Sequence, residues 1–420
     1  MPVRKTIFWL HLIAGIIAGL AIGIMCFTGV ALGFEKQLVS WSERDARQIM
    51  PPAADATRLP LRALLKNIRD TNPETRPSSI TISSDPADAI AFQLGREGAL
   101  YANPYTGEIR TPASTKMHDF MHMMEDWHRT LALSGDNRPV GKAINGACNL
   151  AFFVLAVSGL YLWLPRQWSW RSVKAVALFN WRLTGKNRDF NWHNTIGLWS
   201  APILIVLTLT AVPISYRWGS NLVYRLAGEE APIPQGQGGF AAPAAVEIPQ
   251  PSPDAQPLSQ DALLAIAQNQ FPDWEQISLR LGGGNPRGGA AGSPQGQRAQ
   301  AAAPARSARD SFGSEGRVSP QPVTLSVKVP GTWPRTATRT LTLNPYSGEI
   351  MKNESFADLS PGRRLRTWTR FLHTGEALGF GGQLIATFAC LGGCILVYTG
   401  FALAWRRFFG KRTKPAASTS

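Results

Sequence analysis

The chain has 420 residues, 44% of them hydrophobic, with 43 Lys and Arg against 28 Asp and Glu and a formal net charge of +15. A mean hydropathy of −0.08 hides a strong segregation, because four stretches long enough to cross a bilayer are almost free of charge. The basic residues gather beside those stretches and no basic patch is interleaved with an aromatic platform, which argues against nucleic acid as a partner.

In chain order, residues 7–34 form the first apolar span. It follows Arg4 and Lys5 and lacks a small-residue cleavage site, so it reads as a retained anchor and not as a signal peptide. Residues 35–113 form a first outer domain. Within it Leu59–Arg69 places Leu61, Leu64, Leu65 and Ile68 on one helical face. Strand-like runs follow at Ser79–Ser83, Ala89–Leu94 and Ala99–Asn103, and Pro104–Gly107 makes a turn. A helix on a small antiparallel sheet is the expected packing. Residues 114–133 are an interfacial helix carrying His128, and residues 143–164 are the second span.

Residues 165–192 connect it to the third span, 193–216, whose apolar part is Thr195–Tyr216. The second outer domain, 217–360, repeats the order of the first. Its helix is Ser259–Gln270, with Leu263, Leu264 and Ile266, and its strands are Glu275–Leu281, Val323–Val329 and Thr336–Leu343. It is interrupted at 235–257 and 282–322, which are rich in Gly, Ala, Pro, Gln and Ser and are expected to be disordered. An interfacial helix carrying His373 (361–380), the fourth span (381–405) and a basic tail (406–420) complete the chain.

The order is a duplication. Asn103-Pro-Tyr-Thr-Gly-Glu-Ile109 returns as Asn344-Pro-Tyr-Ser-Gly-Glu-Ile350. His11-x3-Gly15 and Thr28-Gly29-Val30 return as His193-x3-Gly197 and Thr210-Ala211-Val212. Span two ends on Ser158-Gly159 and span four on Thr399-Gly400 at matching places. The halves are parallel repeats, related by an axis along the membrane normal. Short segments set the orientation: Arg4 and Lys5, six basic residues of the 165–192 connection against Asp189 alone, and the basic tail face one side. The positive-inside rule puts both termini and the middle connection in the cytoplasm and both large loops outside, which in a bacterium is the periplasm.

Four of the six histidines fall in register across the duplication. His11 and His193 share the cytoplasmic depth, while His128 and His373 share the outer depth, roughly 25–35 Å away by helix rise. One metal cannot serve both levels. Two imidazoles per level suit the two axial positions of a haem, whereas zinc takes three or four N or S ligands. Same-depth pairing is geometrically simplest. Two haems of the b type, each bis-histidine, are therefore expected, although a single histidine at a helix end also snorkels or bonds locally. Gly15 and Gly197 would let a flat macrocycle approach the backbone.

His118 and His122 stand at i and i+4, a metal-ligand spacing that also fits a plain amphipathic helix. Arg129, Arg138, Arg363, Arg364, Arg366 and Arg370 put positive charge on the outer side against the topology rule. Haem propionates, an anionic ferric chelate or lipid phosphates would each account for it. Cys26, Cys148, Cys390 and Cys394 all lie in spans, so the outer loops have no disulfide framework.

Trp127-His128-Arg129, Asn191-Trp192-His193-Asn194 with Gly197 and Trp199, Phe371-Leu372-His373-Thr374-Gly375-Glu376 and the doubled Asn-Pro-Tyr-Thr/Ser-Gly-Glu-Ile together resemble the PepSY-associated transmembrane family, often labelled iron-regulated membrane protein. The resemblance covers nearly the whole chain outside the two interruptions. It implies a membrane four-helix bundle with two periplasmic α+β PepSY-type domains, and His11, His128, His193 and His373 as haem ligands. It further implies an inner-membrane ferric-siderophore reductase. No Gly-rich dinucleotide fingerprint follows a strand, so nicotinamide or flavin binding within this chain is not expected and electrons would come from a cytoplasmic donor or quinol. Alternatives are a PepSY membrane anchor that regulates a periplasmic protease or cell-wall partner, a di-haem cytochrome with another acceptor, and a transporter. Spans one, two and four lack the broken helices or intramembrane charges that a transporter would show.

Overall fold

The computed structural model describes residues 2–50, 56–165, 169–232, 248–249, 252, 255–281 and 321–410. Its helices are α1 (Pro2–Leu32), α2 (Glu35–Ser42), α3 (Arg44–Arg47), α4 (Leu61–Thr71), α5 (Lys116–Thr130), α6 (Arg138–Trp163), α7 (Trp170–Ala177), α8 (Gly185–Ser215), α9 (Arg217–Leu226), α10 (Gln260–Gln270), α11 (Pro361–His373) and α12 (Gly379–Phe409). The strands are β1 (Ser79–Ser83), β2 (Ile90–Gln93), β3 (Ala99–Ala102), β4 (Ile109–Arg110), β5 (Gln276–Arg280), β6 (Val323–Lys328), β7 (Arg339–Leu343) and β8 (Ile350–Glu354). The chain divides into two compact units, one of residues 1–35, 121–229 and 365–420, the other of residues 36–120 and 230–364.

The first unit is a bundle. Four of its segments are long and apolar enough to cross a membrane: Val3–Leu32, Gly135–Trp163, Gly185–Ser215 and Glu376–Phe409. α1 packs against α6 and α12, and α8 packs against the same two, so the four close a ring. Ile17, Leu20, Phe388 and Tyr398 point outward and are more than half exposed, as side chains meant for lipid are. Inside, Ile22, Met25 and Cys26 pack with Cys148, Phe152 and Cys394, and Leu204 and Leu207 pack with Phe152 and Cys390. All four cysteines are free thiols within this packing.

Helix α8 begins at Gly185, eight residues before the predicted start of span three. Hydropathy marks only the apolar part, and the polar first turns are helical because side chains hold them. Asp189, 2% exposed, pairs with Arg188 at 2.9 Å and with Arg406 of α12 at 2.6 Å.

The second unit corrects the expectation of two separate small sheets. Its strands form one antiparallel sheet in the order β4-β3-β2-β1-β5-β6-β7-β8. The joint is β1 against β5, with Ser79 opposite Arg280 and Ser83 opposite Gln276. Its middle pair is Thr81 and Ser278, with their hydroxyl oxygens 3.0 Å apart. Each half would otherwise leave an open strand edge, and pairing the two edges removes both. Leu264, Trp274 and Leu281 pack against the cores of both halves, so the two share one apolar interior. On α4 the buried residues are Leu61, Leu64, Leu65 and Ile68. On α10 they are Leu263 and Ala267, because Leu264 turns toward the shared seam.

The doubled Asn-Pro-Tyr motif is a structural turn. Asn103 Oδ1 accepts from the backbone N–H of Tyr105 (2.9 Å) and Thr106 (3.3 Å), and Asn344 Oδ1 does so from Tyr346 (2.9 Å) and Ser347 (3.4 Å). Gly107 and Gly348 take φ of +76° and +72°, which only glycine adopts without strain. The Pro104 and Pro345 carbonyls accept from the N–H of Leu59 and Leu258, tying each turn to the lead-in of its helix. The turns also launch the edge strands β4, of two residues, and β8, of five, which are absent from the sequence-based expectation. The two predicted disordered interruptions fall for the most part outside the described residues.

Candidate haem-ligand sites

His128 lies near the end of α5 and His373 ends α11. Their rings face one another with centroids 6.2 Å apart and planes inclined at 51°. Two imidazoles that share one iron through Nε2, with Fe–N bonds of about 2 Å, put their ring centres roughly 6 Å apart. His11 lies within electrostatic reach of His193.

Each ring is held by a hydrogen bond at Nδ1 to a different helix. His11 Nδ1 is 2.8 Å from Ser158 Oγ, and His193 Nδ1 is 2.9 Å from Thr399 Oγ1. His128 Nδ1 is 2.9 Å from Thr28 Oγ1 and 3.1 Å from the Met25 carbonyl, and His373 Nδ1 is 2.9 Å from the Leu207 carbonyl. The partners decide the tautomer. A carbonyl only accepts. The three hydroxyls spend their own protons on carbonyls of their helices: Ser158 on Leu155, Thr399 on Ile395 and Thr28 on Ile24. The carbonyl acceptors put the hydrogen on Nδ1 of His128 and His373, and hydroxyls that donate along their own helices favour the same tautomer in His193 and His11, which leaves the Nε2 lone pair as the ligand atom. At the outer level burial and the neighbouring His373 pull His128 down to about 4, and burial lowers His373 as well. Both are neutral near pH 7, the form that binds a metal.

Glycines make room beside the rings, though not the ones expected. A Cβ on Gly159 would lie 3.4 Å from His11 Cε1, and one on Gly400 would lie 3.6 Å from His193 Cε1. Gly29 stands likewise 3.7 Å from His128 Cε1. Gly15 and Gly197 instead approach Leu155 and Leu396 at 3.9 and 3.6 Å. The Ser158-Gly159 and Thr399-Gly400 pairs, visible in the sequence as a repeat without a role, thus supply both the hydrogen-bond acceptor and the gap.

The His-bearing helices are seated tightly on the spans that follow them. A Cβ at Gly141 or Gly382 would collide with the Thr130 or Gly375 carbonyl. Asn145 Nδ2 donates to the His128 carbonyl at 2.9 Å, which fixes the end of α5. His11 and Thr28 stand on the same helix seventeen residues apart, so the two levels are separated by roughly 25 Å.

The other candidates are placed differently. Arg129 pairs with Glu125, and Arg363 belongs to the outer unit, where it donates to Glu354 at 2.9 Å. These two arginines are engaged by carboxylates. Arg366 donates to Ser220 of α9 and to Thr369, both at 3.3 Å, while Arg364 and Arg370 are exposed. His118 Nδ1 lies 3.7 Å from Asp119 and His122 Nδ1 lies 3.5 Å from Glu125. Among the described residues no group of three or more His, Cys, Asp or Glu side chains is arranged to hold a metal ion. Twofold imidazole sites are what remains, and they fit a haem better than a bare ion.

The family described as PepSY-associated TM region matches residues 8–407. That is nearly the whole chain, and the chain belongs to this family of membrane proteins. Among curated proteins none matches it.

Proposed function

We propose that this member of the PepSY-associated TM family is a haem-holding inner-membrane reductase that delivers electrons to a ferric siderophore on the periplasmic side and releases Fe(II). The observation that carries the reading is the quartet of imidazoles, paired by depth and all tied at Nδ1. When bound, a haem at each level would supply one-electron Fe(III)/Fe(II) chemistry at opposite faces of the membrane. His11 and His193 would hold the inner group, and His128 and His373 the outer. Ser158, Thr399, Thr28 and the Leu207 carbonyl orient these ligands. The packed interior of Phe152, Leu155, Leu204 and the four thiols excludes water between the levels.

Reduction suits iron release because hard oxygen donors hold Fe(III) far better than Fe(II). Arg364, exposed on α11, has the charge to attract an anionic chelate. The basic connection and tail support a cytoplasmic side for both termini, where a donor would bind. A membrane anchor for a periplasmic partner would have no use for matched, neutral imidazole pairs.

The test is the absorption spectrum of detergent-purified protein from haem-replete cells. The expected result is a reducible low-spin b-type Soret band with about two haems per chain, reoxidised by a ferric siderophore. A colourless protein overturns the haem reading. A coloured protein that no ferric siderophore reoxidises overturns the reductase reading alone.

A further inference from the structure

Helix α7 and residues 178–184 fold back on the start of α8 and border an open cavity of about 700 Å³. Its wall is built. The last carbonyls of a helix have no partner within it, and here those ending α7 accept from side chains of the bundle. Asn191 Nδ2 donates to Ala175 and Leu178 (3.1 Å each), Trp199 Nε1 to Ala177 (3.0 Å) and Trp163 Nε1 to Val176 (3.3 Å). Asn191 Oδ1 in turn accepts from the N–H of Asn180 at 3.0 Å.

The lining has a consistent chemistry. It carries Arg171, Lys174 and Arg182 and no carboxylate. Beside these cations stand Phe179 and Trp181, stacked with centroids 5.5 Å apart and planes 28° from parallel. Trp181 is 76% exposed, a large apolar surface for an indole to leave uncovered. Its edge meets Trp192 at 5.8 Å, and the Trp192 indole N–H is buried with no acceptor. The amide of Asn194, next in sequence to His193, also lines the cavity.

The geometry points to a binding site for a flavin mononucleotide, a planar aromatic ring carrying one phosphate. The ring covers Trp181 and Phe179, and the phosphate meets Arg171, Lys174 and Arg182. No Gly-rich fingerprint is needed, because side-chain cations and not a helix N-terminus take the phosphate. The volume is that of an ordinary small-molecule site. A lipid headgroup would satisfy the cations and leave the aromatic shelf bare. Binding stands by itself. Its role as electron donor rests on the reductase reading: a reduced flavin would give up two electrons and two protons, two ferric centres would take one electron each, and the protons would go to solvent.

The experiment is a titration of flavin mononucleotide with the full-length protein in detergent and neutral lipid, followed by quenching of flavin fluorescence. Saturable quenching is expected, weakened about tenfold or more by Trp181→Ala and by the triple change Arg171→Ala, Lys174→Ala, Arg182→Ala. Riboflavin, which lacks the phosphate, should bind more weakly than the nucleotide. The Soret band monitors the fold of the variants. No saturable quenching in the wild type overturns the site, as does undiminished binding in the triple variant. Displacement of the nucleotide by equimolar phosphatidylglycerol also overturns it, since the cavity would then be a lipid headgroup site. Flavin binding to a colourless protein would leave this site standing while the reductase reading falls, and a coloured protein blind to flavin would do the reverse.

Discussion

Nδ1 of His193 and the hydroxyl oxygen of Thr399 lie 2.9 Å apart, on helices that approach one another only in the folded bundle. The Thr399 proton is committed to the Ile395 carbonyl at 2.8 Å, which favours the ring as donor and leaves its other nitrogen free. The same logic holds at His11 with Ser158. A hydroxyl that reads as an ordinary polar residue in an apolar helix thus sets the chemistry of a histidine 206 positions away.

Thr399→Val removes the acceptor while keeping the shape. Haem affinity at the inner level should fall on the order of 10–100-fold, as for other groups that orient a metal-bound histidine. Thr399→Ser should restore it. Haem per chain, measured during dilution into haem-scavenging apoprotein, reads the change, and equal retention in all three proteins would show that the hydroxyl does not orient the ligand.

His373→Ala should remove the outer haem and leave the inner one, which halves the Soret absorbance per chain. His11→Ala should remove the other half. A double change His128→Ala with His373→Ala should lose no more than His373→Ala alone, because both act on one site. Independent losses would mean that the two rings serve different centres.

Asn103→Ala deprives two backbone N–H groups of their acceptor in a turn where Asn103 is 7% exposed. A loss of about 1–3 kcal/mol is expected, and Asn344→Ala should behave alike because its bonds are the same. Gly107→Ala adds a Cβ 2.7 Å from the Asn67 amide nitrogen at a φ of +76°, and should be at least as damaging. Thermal unfolding of the full chain measures all three.

Thr81→Val tests the sheet joint. The hydroxyl contact with Ser278 is one bond beside a five-residue ladder, so its loss should cost no more than about 1 kcal/mol. Ile82→Pro, at a position whose N–H faces β5, removes a backbone donor from the same ladder and should be far more destabilising. Limited proteolysis of the two variants separates the outcomes, and equal sensitivity would show that the ladder does not hold the halves together.

Glu354 gives a pH dependence. Burial alone would raise its carboxyl, but Lys352 at 2.7 Å and Arg363 at 2.9 Å outweigh that and hold it below its ordinary value. A depressed folded-state pKa stabilises above the unfolded value and is lost as pH falls through the folded one. Stability should therefore decline on acidification below about pH 4.5, and Glu354→Gln should flatten that limb. An unchanged acid limb in thermal melts of the variant would remove Glu354 from the account.

The sequence alone was enough for the four apolar helices and for the family to which the chain belongs. These are local properties: hydropathy over one helix length and a motif repeated at a fixed place are written in neighbouring residues. It also marked Ser158-Gly159 and Thr399-Gly400 as repeats, without a function, because their partners are the side chains of His11 and His193 on other helices. Only the tertiary structure decided which nitrogen of each imidazole stays free, that Arg129 and Arg363 are taken by Glu125 and Glu354, and that β1 and β5 merge two expected sheets into one. The physical reason is common to all three. Strand edges, hydrogen-bond acceptors and counter-charges are interchangeable along a chain, and which ones meet depends on long-range packing that no local pattern carries.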